Sequence, residues 1–216
     1  MTMIIAANLG EYVVLAADKR AVMLGADGLS SYVVSDDTKK IVDCKCFGVT
    51  GMGYVEILDD FKSMVCKAKM NSTDIFISLA KKAYFKNFTT HNYKLSKTKY
   101  LVAYITELNN FLLPRVAIIE AGNPNDLIIV DDITILCKVT KGTNETLRDF
   151  LKENLKVPDE KIASEQKLIF ENIEYNKNLI LKIFKTVSRL DNSVSSSMDF
   201  FVLTKNFGSV LIENCT

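Results

Sequence analysis

The order of the predicted secondary-structure elements favours an α+β fold, a four-layer αββα sandwich with helices outside two stacked sheets. Three observations predict it. Runs of strands alternate with runs of helices, whereas parallel βαβ winding needs single helices between single strands. The chain of 216 residues is long enough for one large core. Its three prolines and nine glycines are spread thinly, without a linker-like stretch, so we expect a single domain over residues 1–216.

Apolar periodicity and turn residues predict the elements of the N-terminal half. Short apolar runs separated by turns predict two strand pairs, at residues 3–8 with 12–17 and at residues 40–42 with 46–50. The Gly- and Ser-rich residues 25–31 predict a turn or loop. After residue 53, apolar residues recur at intervals of three and four, which predicts a helix; they are Val55, Leu58, Phe61, Met64 and Val65. A second helix is expected after the capping residues 71–74.

The C-terminal half repeats this alternation. Further strands are expected at residues 99–106, 110–120, 127–130 and 134–140. Helices follow at residues 145–155, 159–171 and 177–190, and Pro158 suits a position in the first turn of the middle helix. Two strands, at residues 198–204 and 208–213, complete the order.

Composition and charge exclude several classes of partner. The net charge of +1 gives no electrostatic reason to expect binding to nucleic acid or to a membrane surface. The longest apolar runs are far shorter than the roughly 20 residues of a membrane-spanning helix. Five irregularly spaced cysteines are too few for a disulfide framework, and we expect Cys44 and Cys46 to be ordinary strand residues. Together these features favour a cytoplasmic protein.

The sequence also lacks the residues of several reaction classes. Its one histidine, His91, lies in a polar stretch after a helical segment, which favours a surface loop over a catalytic triad. Cys and His clusters with zinc-site spacing are absent, and so are the glycine-rich phosphate-binding motifs. We therefore expect no metal and no cofactor. Any catalysis must use hydroxyls, carboxylates, lysines or a terminal amine.

Thr2 could supply two of these groups at once. Removal of Met1 is expected before a small residue, and it would leave Thr2 with a free α-amino group. The hydroxyl is then a nucleophile, and the amine, with an unperturbed pKa of about 8, can accept the hydroxyl proton. Many chains begin Met-Thr, so Thr2 taken alone favours the simpler interpretation, a threonine that starts a strand.

The segment around Thr2 resembles the start of proteasome β subunits and their bacterial relatives. It reads Thr-Met-Ile-Ile-Ala-Ala at residues 2–7, a turn at Gly10, and Ala-Ala-Asp-Lys-Arg-Ala at residues 16–21. In that family a nucleophilic Thr opens a strand, and the second strand of the hairpin ends in Ala-Asp-x-Arg. The resemblance implies the N-terminal nucleophile (Ntn) hydrolase fold. Because residue 2 follows the initiator directly, we expect the chain to be nearer the simpler bacterial homologues, which have no propeptide.

The resemblance also implies roles for individual residues. Asp18 and a lysine of the third strand would hold and polarise the nucleophile. Lys40 is preferred to Lys39 because a β-branched residue follows it. The backbone N–H of Gly51 would receive the oxyanion, although a tight turn that needs a positive φ also explains a glycine there. Arg20 would brace the site by ion pairing.

Near the C-terminus, the resemblance implies an Asp and a Ser that order the terminal amine. Asp191 fits the first position. The usual gap to the serine falls on a valine, so Ser195 is preferred and Ser193 stays open. A flexible polar turn is the alternative interpretation of this stretch.

The resulting hypothesis is a threonine-type peptidase that acts on peptides or unfolded proteins. The resemblance further implies a homo-oligomeric ring, with a separate ATPase or cap as a possible partner. Two alternatives stay open. The acyl-enzyme could be resolved by an amine, as in a transpeptidase or another amidohydrolase, or the chain could be a non-catalytic ring subunit if Met1 is retained.

Overall fold

A computed structural model describes residues 3–24, 31–68, 73–137 and 141–216. Within these ranges the chain forms a mixed α/β fold of antiparallel sheets and five helices. The helices are α1 (Val55–Lys67), α2 (Asp74–Leu95), α3 (Lys141–Asn154), α4 (Glu160–Ser164) and α5 (Gln166–Leu190). The strands of the first half are β1 (Ile4–Asn8), β2 (Tyr12–Asp18), β3 (Ala21–Leu24), β4 (Ser31–Ser35), β5 (Val42–Asp43) and β6 (Gly48–Met52). Those of the second half are β7 (Lys99–Leu108), β8 (Phe111–Glu120), β9 (Ile128–Val130), β10 (Ile133–Leu136), β11 (Met198–Thr204) and β12 (Gly208–Cys215).

The strands pair into two five-stranded sheets and one hairpin. Sheet I has the order β10-β1-β2-β11-β12, and sheet II has the order β5-β6-β7-β8-β9. Strands β3 and β4 form the separate hairpin. Among the described residues, all strand pairings within sheets I and II are antiparallel. The central position of β2 in sheet I fixes Asp18 at the end of a fully buried strand.

Three hydrophobic clusters cover the faces of these sheets. The first joins sheet I to α3 and α5, and the second joins sheet II to α1 and α2. The third contains residues of both sheets, among them Ile4, Leu15, Leu101 and Phe201. Successive residues of a strand point to opposite faces, so β1 contributes Ile5 to the first cluster and Ile4 to the third. Burial of both faces explains why β1 and β2 are apolar up to their last residues, Asn8 and Asp18, instead of alternating with polar residues.

The β3–β4 hairpin was not expected from the sequence. Residues 25–31 were predicted as a turn or loop, and most of them lie outside the described residues. The flanking strands pair Val22 with Val33. Tyr32, Val33 and Val34 are all exposed, so this hairpin has no buried face that would impose an alternating pattern on its sequence.

Helix α5 corrects the predicted break between residues 171 and 177. It runs unbroken for 25 residues, and the chain is extended instead at Glu165, just after the short α4. The predicted break fell on a polar stretch that includes Asn172 and Asn176, which are both buried. The Tyr12 hydroxyl donates to Asn172 Oδ1 at 2.7 Å and accepts from Asn176 Nδ2 at 2.6 Å. These bonds satisfy both amides, which explains how two asparagines are buried within the helix.

Two smaller predictions are also corrected. His91 lies within α2, at a kink with non-helical φ and ψ, and not in a loop after a helix. Pro158 precedes the N-cap of α4, Asp159, whose side chain accepts from the Ile162 N–H. Within the described ranges, no helix has both the length and the apolar character to cross a membrane.

The prediction that Cys44 and Cys46 are ordinary strand residues is wrong. Both lie in the turn between β5 and β6, and Cys44 forms a disulfide with Cys66 near the end of α1. The two Cα atoms are 5.3 Å apart, within the range that a disulfide requires. The packing of α1 against sheet II brings these cysteines together, and sequence spacing does not reveal such a contact.

We predict that Cys66→Ala lowers the free energy of unfolding by about 3 kcal/mol, because the bond closes a loop between residues 22 apart in sequence. Urea unfolding with and without dithiothreitol measures the effect, which should vanish in the reductant. Cys46→Ala, which removes an exposed thiol of the same turn, is the matched control and should change little. Equal stability of the unmodified protein with and without reductant would contradict the prediction.

Candidate active site

Four donors converge on the buried carboxylate of Asp18. The Met3 backbone N–H donates to Oδ1 at 2.7 Å, and the Lys40 ammonium donates to the same oxygen at 2.8 Å. The backbone N–H groups of Arg20 and Ser195 donate to Oδ2 at 3.0 and 3.4 Å. Because the side chain is wholly inaccessible to solvent, these donors replace the water that would otherwise stabilise it.

Lys40 is the charged partner of Asp18. Its ammonium donates to Asp18 Oδ1 and, at 2.6 Å, to the carbonyl oxygen of Arg20. Burial lowers the pKa of Lys40 below its usual value of 10.5, although the Asp18 carboxylate opposes this shift. Thr50 fixes the lysine backbone by donating its hydroxyl to the Lys40 carbonyl at 3.0 Å. Lys39, the alternative lysine, is exposed and pairs with Glu213.

Thr2 lies outside the described residues. Its neighbour Met3 is wholly buried, and the Met3 N–H belongs to the peptide bond that joins the two residues. This bond to Asp18 Oδ1 therefore ties the Asp18–Lys40 pair to the peptide unit that immediately follows Thr2.

Gly51 lies on β6, beyond the residues that pair with β5. Strand β5 pairs with β6 only at Gly48 and Val49, so no described strand borders that edge of β6 at Gly51. A Cβ atom there would come within 2.6 Å of the Lys99 carbonyl oxygen and 2.4 Å of Leu58 Cδ2, which only glycine avoids. The explanation by a positive φ belongs to Gly53, with φ 136°, and not to Gly51.

Asp191 and the serines form a tight turn after α5. Asp191 is the C-cap of α5, and its Oδ1 accepts the Ser193 N–H at 2.8 Å. The Ser195 hydroxyl lies 2.8 Å from the Ser197 hydroxyl, and the Ser195 backbone reaches Asp18. The Ser193 hydroxyl is buried and has no hydrogen-bond partner among the described residues. The structure thus joins Ser195 to Asp18 through the backbone, whereas Asp191 contacts its own turn.

Arg20 links this turn to Asp36, the residue that follows β4. Its guanidinium forms an ion pair with Asp36, with Nε 2.5 Å from Oδ1 and Nη2 3.0 Å from Oδ2. Its Nη1 also donates to the Asn192 carbonyl at 2.5 Å. The two-pronged contact with Asp36 has the bidentate geometry typical of strong arginine–carboxylate pairs.

A second buried ion pair, Lys19 with Asp199, lies near the Asp18–Lys40 pair. The sequence analysis did not predict it. The Lys19 ammonium is 3.3 Å from Asp199 Oδ1 and 2.7 Å from Asp37 Oδ1. Asp199 is wholly buried, and its other oxygen, Oδ2, has no hydrogen-bond partner among the described residues. Asp199 pairs with Ala17 across β2 and β11, a register that only strand pairing reveals.

A cavity of about 180 Å³ opens beside Lys40 and Gly51. Residues of α1 complete its wall, including Leu58, Asp59 and Lys62. Lys62 is nine-tenths buried and was not singled out in the sequence, although it follows Leu58 by four residues and so lies on the same helix face. Among the described residues, no group of three or more His, Cys, Asp or Glu side chains could hold a metal ion.

Comparison with known proteins supports the fold class but not a family assignment. No protein-family model matches the chain, and the search of curated proteins found no significant match. In contrast, 332 chains of solved structures match. One is a Gly-1 mutant of Anbu from Hyphomicrobium sp. strain MC1, with a TM-score of 0.64 over all of this chain and 89% of the Anbu chain. Sequence identity is 14%, so the likeness concerns the fold alone.

The assignment to the proteasome β family, nearer the simpler bacterial homologues, is therefore corrected. That assignment depended on a short N-terminal segment. The comparisons instead support a likeness of fold to Anbu. A fold can persist when few residues are shared, because many apolar sequences fill the same core.

We predict that Asp18→Asn lowers the free energy of unfolding by about 3–5 kcal/mol at pH 7, because the buried Lys40 ammonium loses its counter-charge. The deficit should shrink as the pH rises towards 10. Burial already holds the folded-state pKa of Lys40 below 10.5, and loss of the opposing Asp18 charge lowers that pKa further in the variant. As the pH rises and the ammonium loses its proton, the variant therefore gains more stability than the unmodified protein. Urea unfolding of both proteins at several pH values measures the difference.

Asp36→Asn is the matched control. It removes the carboxylate partner of Arg20, a cation that stays charged over the whole range, so its smaller deficit should not change with pH. A deficit for Asp18→Asn that stays constant or grows between pH 7 and 10 would contradict the charged Asp18–Lys40 pair.

Proposed function

We propose that the protein is a threonine-type peptidase, with Thr2, exposed by removal of Met1, as its nucleophile. One observation carries the proposal: a buried carboxylate–ammonium pair, Asp18 with Lys40, is hydrogen-bonded to the Met3 N–H. Burying two charges is costly, and such pairs are often no more stabilising than an apolar replacement. A role at the adjacent terminus explains why the charges lie there.

The chemistry follows from the groups of Thr2 and their surroundings. The α-amine of Thr2 takes the hydroxyl proton, and Oγ bonds to the carbonyl carbon of a peptide bond. Lys40 stabilises negative charge on Oγ, and the Gly51 N–H stabilises the oxyanion. The C–N bond then breaks, and the leaving amine receives the proton from the α-amine. Water, deprotonated by the same amine, attacks the ester and restores Thr2.

The architecture expected of such a hydrolase is a four-layer αββα sandwich in one domain over residues 1–216, the Ntn hydrolase fold. The three hydrophobic clusters support it, because one lies between the two sheets and each of the others joins a sheet to helices. The likeness of fold to Anbu over the whole chain is further support.

Asp191 with Ser195 would order the terminal amine in this proposal. The Ser193 hydroxyl is a competing candidate, because it is buried and lacks a hydrogen-bond partner among the described residues. A homo-oligomeric ring, an ATPase or cap partner and a cytoplasmic location stay predictions. The Cys44–Cys66 disulfide argues against the last of these, since disulfides are rare in reducing compartments.

We predict that Thr2→Ala reduces peptide cleavage at least about 10³-fold, because both the nucleophilic step and its acyl-enzyme are lost. Thr2→Ser, which keeps a hydroxyl and an amine, should retain measurable cleavage. A panel of fluorogenic peptide amides measures kcat/KM.

Thr186→Ala, the removal of an exposed threonine hydroxyl on α5, is the matched control and should leave kcat/KM unchanged. An undiminished rate in Thr2→Ala would remove the mechanism. Met1 retained on an inactive protein would favour a non-catalytic role.

A further inference from the structure

The cavity beside Lys40 and Gly51 is lined by four cations, three of which have a carboxylate partner. Arg20 pairs with Asp36, Lys39 with Glu213 and Lys40 with Asp18; these contacts are ion pairs. Their charges are thereby largely balanced within the protein.

Lys62 is the fourth cation and differs from the others. Within the described ranges its ammonium forms no ion pair and no hydrogen bond, although the side chain is nine-tenths buried. Burial lowers its pKa, and the nearby charge of Lys40 acts in the same direction, whereas Asp59 opposes the shift. The side chain is nine-tenths buried and lines the cavity, so a carboxylate that entered the cavity would meet a cation without a partner among the described residues and form a charge-assisted hydrogen bond with it.

From this arrangement we propose that Lys62 selects substrates with an acidic side chain, glutamate or aspartate, immediately before the cleaved bond. The inference rests on the proposed peptidase function and names its substrate class. The cavity shares Lys40 and Gly51 with the candidate active site, so a side chain held in it belongs to the residue whose carbonyl is attacked. Its volume of about 180 Å³ is below that of drug-sized sites and suits a single side chain.

The negative charge of Asp59 weakens the preference for acidic substrates. It lies three residues before Lys62 on α1, lines the same cavity and is exposed, without an ion pair to Lys62. Its negative charge repels an incoming carboxylate across a region open to solvent, where screening weakens the effect. Lys62 acts in the buried part, where the interaction is stronger. Asp59→Asn should therefore increase the preference for acidic substrates.

The test uses N-acetylated tetrapeptide aminocoumarin amides that differ only in the residue before the cleaved bond: Glu, Gln, Leu or Lys. The unmodified protein should prefer Glu to Gln by at least about tenfold in kcat/KM, as expected for a hydrogen bond to a charged group. Lys62→Met should reduce this ratio to near one, and Lys62→Glu should shift the preference to Lys. Lys67→Met, an exposed change on the same helix, should leave the ratio unchanged.

A second measurement separates failure of the specificity from failure of the proposed function. Isothermal titration calorimetry records binding of the Glu and Gln peptides to the Thr2→Ala protein, in which no cleavage is needed. Cleavage without preference for Glu overturns the role of Lys62 and leaves the peptidase intact. Binding that prefers Glu and depends on Lys62, without cleavage by the unmodified protein, upholds the acidic site and overturns the peptidase. If neither cleavage nor binding prefers Glu to Gln, the inference is overturned.

Discussion

The buried contact between Asp18 and Lys40 is the interaction on which the candidate site depends. One carboxylate oxygen receives the Lys40 ammonium and the Met3 N–H, and the other receives the backbone of Arg20 and Ser195. The pair thus connects the residue before β1, the end of β2, the segment before β5 and the turn after α5. Charges in such a place must be held by geometry, because no solvent compensates for a poor contact. The same constraint makes the site rigid, which suits groups that must stay aligned during a reaction.

Sheet II and α1 supply the other half of the site. Strand β6 ends at Gly51, where a side chain would collide with α1 and β7, and α1 then carries Asp59 and Lys62 along the cavity. Cys66 joins the far end of α1 to the turn between β5 and β6. The helix is therefore held near both of its ends, so the position of Lys62 depends on contacts made by the whole element.

The sequence predicted the order of elements well because both sheets are buried on two faces, which produces long apolar strands. It failed where burial does not impose a pattern. The β3–β4 hairpin exposes Tyr32 and its neighbours, and the middle of α5 buries two asparagines that Tyr12 satisfies. The segment from Thr2 to Arg20 singled out Asp18 through a resemblance, although the family assignment was wrong. Asp199 could not be selected, because its ion pair with Lys19 depends on the pairing of β2 with β11. Lys62 could not be selected either, because the cavity that it lines is formed by segments distant in sequence.

The proposed chemistry requires a free α-amine and a free hydroxyl on Thr2, the residue before the Met3 N–H that binds Asp18. Intact-mass measurement combined with N-terminal sequencing of the purified protein tests this directly. We expect Thr2 to be the first residue, with an unmodified amine. A chain that retains Met1, or that carries a blocked amine on Thr2, would contradict the chemistry and leave only the fold.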